Sequence, residues 1–288
     1  MPIDLAHLQQ ALQQGYAEYV RDAKKAVRSG KFIGPIHAWC AAELAALGLP
    51  GQYLVPHADQ GGYVRASVAG ALGRVQDRIR SRLRSKQHET LRQQLNTDLE
   101  RITEEARGSR LRVLGGYLEK EIDVCLMVED TGPLLAISVK SQMSSIAKNT
   151  INRFEEYVGD ATNLHTRYPM LVLGFLLLIP VTDETWNATT NEPTPVLKRI
   201  HALLEQATGR DEPSGVPGSY EASALAVVDF RADPPVILDA FPAAGSPLRM
   251  EGLFDRLVAL YRKRNQPLAL RSIPGADQAD PADVEDKD

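Results

Sequence analysis

The sequence predicts an α/β fold, a mixed central sheet flanked by helices with a helical N-terminal region ahead of it. Three observations carry that reading. Helical periodicity fills the first third; three short β-rich runs follow, RLRVLGGYL, KEIDVCLMVED and PLLAISVKSQ; and one helix later comes PMLVLGFLLLIPV, apolar throughout. A strand-length run without polar alternation is what a strand buried on both faces needs.

Residues 4 to 29 and 35 to 48 read as helices, the second closed by Gly48 with Pro50 just beyond, and a Pro/Gly-rich loop runs to about Gly62. Residues 64 to 107 are largely helical, broken near Gly70 to Gly73 or Ser85 to His88. The three β-rich runs form a meander, the last two joined by the turn Asp130-Thr131-Gly132-Pro133. SIAKNTINRFEEYVGDATNLHTRY is the helix before the buried strand. After that strand come a helix at 194 to 208, a Gly/Pro loop at 209 to 219, the strands ALAVVDF and PVILDAF, and a last helix from about 248 to 264. The expected organisation is a helical region over 1–86, a core with C-terminal additions over 87–270, and an acidic, unstructured tail over 271–288.

At 288 residues and 43% hydrophobic, the chain is long enough to bury a large core. Cys40 and Cys125, its only cysteines, lie in separate apolar surroundings, which excludes a disulfide framework and a cysteine zinc site and points to a reducing cytoplasm. The start, MPIDLAHLQQALQQ, lacks the pattern of a signal peptide, and MLVLGFLLLIPV is too short to span a bilayer, so no membrane partner is expected. The net charge of −4 hides an asymmetry: residues 274 to 288 hold six acids and one lysine, −5 in all, leaving the remainder near +1. Arg74, Arg78, Arg80, Arg82, Arg84, Lys86 and Arg92 face only Asp77 and Glu89 in the same stretch. That local basic stripe is a candidate phosphate-contacting surface, or else a solvated helix face.

Strand parity locates the chemistry. In KEIDVCLMVED, alternation puts Glu121, Asp123 and Cys125 on one face and Ile122, Val124 and Leu126 on the other. In the next strand Ser138, Lys140 and Gln142 share a face, so the paired strands carry a polar patch. On the following helix, Ile151, Phe154, Tyr157, Val158, Ala161 and Leu164 fall in one arc; Glu155 lies at its edge and Glu156 points nearly away. Asp123 and Glu155, with Glu121 as a further candidate ligand, would supply hard oxygens to Mg²⁺. Lys140 would position a water and steady developing negative charge, the combination phosphodiester hydrolysis requires.

The helix, a meander carrying an acid, a strand ending in Ser138-Val139-Lys140, a helix and a buried strand resemble the core of the PD-(D/E)xK, or restriction-endonuclease-like, nuclease superfamily over roughly residues 90 to 180. The resemblance places the family's metal-binding aspartate on Asp123 and its catalytic lysine on Lys140. Two departures stand out: Ser138 occupies the usual acid position two residues before the lysine, and Ile122 replaces the proline before Asp123. Some restriction endonucleases carry Ser-Val-Lys and move the acid to the following helix; by that likeness it falls on Glu155 first and Glu156 second. Lys140-Ser141-Gln142 followed by Asn152-Arg153 and Glu155-Glu156 is similar to an extended restriction-type signature.

The resemblance implies a Mg²⁺-dependent endonuclease, with Mn²⁺ able to substitute, that cuts double-stranded DNA in bacterial restriction and acts as a homodimer or higher homo-oligomer. Expected DNA contacts are Arg74, Arg78, Arg82, Lys86, Gln142, Asn152 and Arg153. The alternatives are a silent DNA-binding or scaffold subunit, which Ser138 favours, and a repair or junction nuclease. No glycine-rich phosphate loop or dinucleotide fingerprint supports a small-molecule enzyme.

Overall fold

The computed structural model describes residues 3–28, 30–56, 75, 78–79, 81–82, 89–108, 111–128 and 131–265. In chain order the elements are α1 (Leu5–Arg21), α2 (Ala23–Arg28), α3 (Gly34–Ala46), β1 (Leu54–Val55), α4 (Glu89–Gly108), β2 (Leu111–Leu114), β3 (Glu119–Ile122), β4 (Val124–Val128), β5 (Gly132–Ser141), α5 (Ile146–Arg167), β6 (Val172–Pro180), β7 (Trp186–Asn187), β8 (Glu192–Pro193), α6 (Pro195–Gln206), β9 (Ala222–Asp229), β10 (Val236–Ile237) and α7 (Met250–Arg264). The acidic tail, Arg74 and Lys86 lie outside the described residues.

Six strands form a mixed sheet in the order β1-β4-β5-β6-β9-β10. β5, β6 and β9 run parallel, β4 pairs antiparallel with β5, and β1 and β10 add antiparallel edges. Parallel neighbours need a crossover, which α5 supplies between β5 and β6 and α6 between β6 and β9. β6 is buried along all nine residues, which is why its sequence shows no alternation.

Helices cover both faces. Leu12, Ile36 and Trp39 of α1 and α3 and Phe254 of α7 join Leu126, Ile137 and Leu176 in one apolar cluster. On the other face, Tyr157 and Leu164 of α5 and Ile200 and Leu204 of α6 pack on Cys125, Phe175 and Leu177. Removing these side chains from water is the main stabilising contribution, at about 25 cal/mol per Å² of apolar surface.

The meander departs from the expected three continuous strands at one point. The run KEIDVCLMVED breaks at Asp123, so β3 pairs with β2 in a separate hairpin while β4 pairs with β5 in the main sheet. The break alters parity: Ile122 joins the cluster that contains Cys125, while Val124 and Leu126 belong to the opposite one. The β2–β3 turn is clamped to α5. Asn163 Oδ1 accepts from the Tyr117 and Leu118 amides, its Nδ2 donates to the Leu118 carbonyl, and its carbonyl accepts from the Gly116 amide. A Cβ on Gly115 would lie 2.3 Å from Asn163 Nδ2, so only glycine permits that approach.

Candidate functional site

Asp123 and Lys140 meet where β4 begins and β5 ends. The ladder pairs Val124 with Ile137, so the next step sets Asp123 opposite Ser138. Asp123 Oδ2 accepts from the Val139 amide at 2.9 Å, Lys140 Nζ at 3.1 Å and Ser138 Oγ at 3.4 Å. Its Oδ1 lies 3.9 Å from Nε2 of His37, a buried α3 residue brought in from the other layer. Burial pushes the Asp123 carboxyl up, but the Lys140 ammonium, His37 and the Val139 amide outweigh it and hold the group below its ordinary value. Lys140 keeps 28% of its side chain exposed, against 7% for Asp123, and so is the solvent-facing member of the pair.

A cleft opens beside Lys140 between α5 and α6. Its floor is Phe175 and Leu177, its walls include Phe154, Tyr157 and Leu203, and its rim is charged. The rim acids are Glu156 and Asp160. Glu156 is paired with Arg153 at 2.5 Å, and Asp160 is bridged to Lys120 of β3 at 2.6 Å. Burial raises the Asp160 carboxyl despite Lys120 and Lys140, with the Glu156 charge adding to the rise. Perturbed carboxyls in a cleft mark functional sites more often than chance.

Glu155 does not line this cleft; it is exposed on the outer side of α5. The expected arc is rotated. Ile151 is exposed while Ile146, Thr150, Tyr157, Ala161 and Leu164 are buried, which turns the helix so that Glu156 and Asp160 flank the cleft. Of the two, Glu156, the second choice by likeness, is the one that lines the cleft. Asp160 is a cleft acid outside the expected set, although its spacing of four from Glu156 and seven from Arg153 puts all three on one stripe of the helix. His37 left no trace in the sequence, since only the tertiary fold sets α3 against β4.

The other candidates are scattered. Glu121 is half-buried on β3, facing Arg112 across the hairpin. Gln142 is buried on the cleft wall, its Nε2 donating to the carbonyls of Ser145 and Ile146. Asn152 is exposed on α5, and Arg78 and Arg82 are exposed at helical positions of the N-terminal region.

Among the described residues no group of three or more His, Cys, Asp and Glu side chains converges on a metal-sized site. Mg²⁺ does not require one: it takes one or two carboxylates and fills its remaining positions with water and substrate phosphate. Asp123 is one deeply set carboxylate, and the two rim acids of the neighbouring cleft, Glu156 and Asp160, are paired with Arg153 and Lys120. Among the described residues no helix is long and apolar enough to cross a membrane. No protein-family model, curated protein or solved structure matches this chain.

Proposed function

We propose that this protein is a Mg²⁺-dependent endonuclease of the restriction-endonuclease-like type, hydrolysing phosphodiester bonds of double-stranded DNA. The observation that carries the reading is the contact between Asp123 and Lys140 at the carboxyl ends of the parallel strands, where open α/β sheets bind ligands. Asp123, with Asp160 or Glu156 of the neighbouring cleft, would hold the metal, which would polarise the phosphoryl oxygen and acidify water. Lys140 donates one hydrogen bond to Asp123 and has two further N–H donors to orient the attacking water and meet the charge that grows on the phosphate. Its exposure gives it that access. Asp123, being a charged acceptor of three donors, fixes where the ammonium stands. Arg78 and Arg82 supply backbone contacts that position the duplex without reading sequence.

One observation favours a second reading, a silent nuclease fold that only binds DNA. Ser138 stands at the usual acid position, and Asp123 Oδ2 already receives three donors. Incubation of the protein with plasmid and MgCl₂ separates the two. The nuclease reading expects fragments that vanish with EDTA, with Asp123→Ala and with Lys140→Ala. Intact plasmid under Mg²⁺ and Mn²⁺, with a retained gel shift, would establish the binding reading instead.

A further inference from the structure

Three polar side chains that do not line the Lys140 cleft stand in order between α6 and the loop leading into α7. Ser246 Oγ lies 2.9 Å from Nε2 of His201, and the other ring nitrogen, Nδ1, faces Glu205 Oε2 at 3.7 Å. Glu205 follows His201 by four residues, so both stand on one face of α6. At that distance the carboxylate acts by charge rather than by a hydrogen bond: it favours the ring proton on Nδ1, which leaves Nε2 as the acceptor for the Ser246 hydroxyl. Phe241 backs the imidazole with its ring centre 5.2 Å away. The serine is held as well. Its amide donates to the Ala243 carbonyl, its Oγ accepts from the Leu248 amide at 3.2 Å, and the Leu248 carbonyl accepts from the Leu225 amide of β9. Leu248 is fully buried, which anchors the loop on the sheet. Ser246 itself is half-buried, but Ala243, Ala244 and Gly245 before it are small and exposed, and nothing lies within 4 Å of where a Cβ on Gly245 would stand, so the approach is open.

We propose that Ser246 is the nucleophile of a second site, an acyl-transfer site for small esters with good leaving groups, in which His201 is the general base and Glu205 the residue that positions it. A hydroxyl becomes a useful nucleophile when a base stands within hydrogen-bond reach and a third group orients that base. In the reaction Oγ bonds to the acyl carbon and the hydroxyl proton passes to Nε2. The bond from that carbon to the leaving oxygen then breaks as Nε2 returns the proton to it. Water, activated by the same nitrogen, cleaves the acyl-serine, releasing the carboxylic acid and restoring the hydroxyl. The Leu248 N–H steadies negative charge on Oγ. Pro247 limits the substrate class: the position after the serine has no N–H to meet the carbonyl oxygen, so aryl esters suit the site and amides do not. The site uses none of the residues proposed for DNA cleavage and does not depend on that reading.

The test treats the full chain with diisopropyl fluorophosphate, which forms an Oγ–P bond with loss of HF, and locates the adduct by peptide mass mapping. One adduct per chain, on Ser246, is expected in the folded protein and none after heat denaturation. His201→Ala should slow labelling about 10²-fold, the contribution of one general base. Glu205→Gln should lower the limiting rate of labelling and leave the half-saturating concentration unchanged, a split that a merely structural role would not produce. The wild type should hydrolyse p-nitrophenyl acetate and Ser246→Ala should not. Absence of label on Ser246 in the wild-type chain, or equal labelling in a His201→Ala variant that still unfolds cooperatively, overturns the site. Label on Ser246 without ester hydrolysis overturns acyl transfer as its activity. Labelling is read on the unaltered chain, so the outcome stands even where a variant fails to fold.

Discussion

At the residue scale, the proposed chemistry turns on how Asp123 is held. Its carboxyl is depressed by Lys140, His37 and the Val139 amide against the opposing effect of burial. A depressed carboxyl stabilises the fold fully above its unfolded value of about 3.9, and that stability is lost as pH falls through the lower folded value. Asp123→Asn should therefore flatten the acid limb of a denaturation series below about pH 4, measured by urea titration at successive pH values. In the cleavage assay, Lys140→Ala should lower the rate about 10²–10³-fold, the usual cost of removing one preorganised charge-stabilising donor. Glu155→Gln should leave cleavage unchanged, because the side chain is exposed and away from the cleft, whereas Asp160→Asn should slow it. Equal effects of those two substitutions would contradict the placement of α5.

At the element scale, the break at Asp123 and the rotation of α5 make the site. An unbroken strand would have aligned Glu121 and Cys125 with Asp123; instead β3 leaves the sheet and carries Lys120 to Asp160. The β2–β3 turn holds that arrangement through Asn163, whose side chain serves three backbone groups. Asn163→Ala would strand those groups at a cost of about 1–3 kcal/mol. Hydrogen exchange should report it as faster exchange at the Tyr117 and Leu118 amides, and unchanged protection there would show that the turn is held otherwise.

At the scale of the whole molecule, the two ends of the sheet do different work. Opposite the cleft, Glu221 is fully buried and accepts from Arg210, Arg264 and the Leu173 amide, with His165 Nε2 at 3.3 Å. This network joins the start of β6, the loop before β9 and the end of α7 into one latch. Glu221→Ala leaves two buried guanidinium groups uncompensated and should cost about 3–5 kcal/mol in a denaturant titration. DNA binding should be salt-dependent, and Arg78→Ala and Arg82→Ala should each lower the slope of log affinity against log salt by about one.

Among the described residues, periodicity alone determined α1, α3 and α4, the buried strand β6 and the placement of an acid and a lysine on neighbouring runs, because those depend on spacings of two and 3.6 residues. The pairing of Asp123 with Lys140 was legible for that reason, since neighbouring antiparallel strands leave few registers. Which acid on α5 faces the cleft was not, because a helix with a wide apolar stripe can settle at several rotations, and packing on Phe175 and Leu177 selects one. His37 beneath Asp123, the strand break at Asp123 and the latch at Glu221 were decided only in three dimensions: each depends on contacts between segments far apart in the chain, whose energies leave no local pattern.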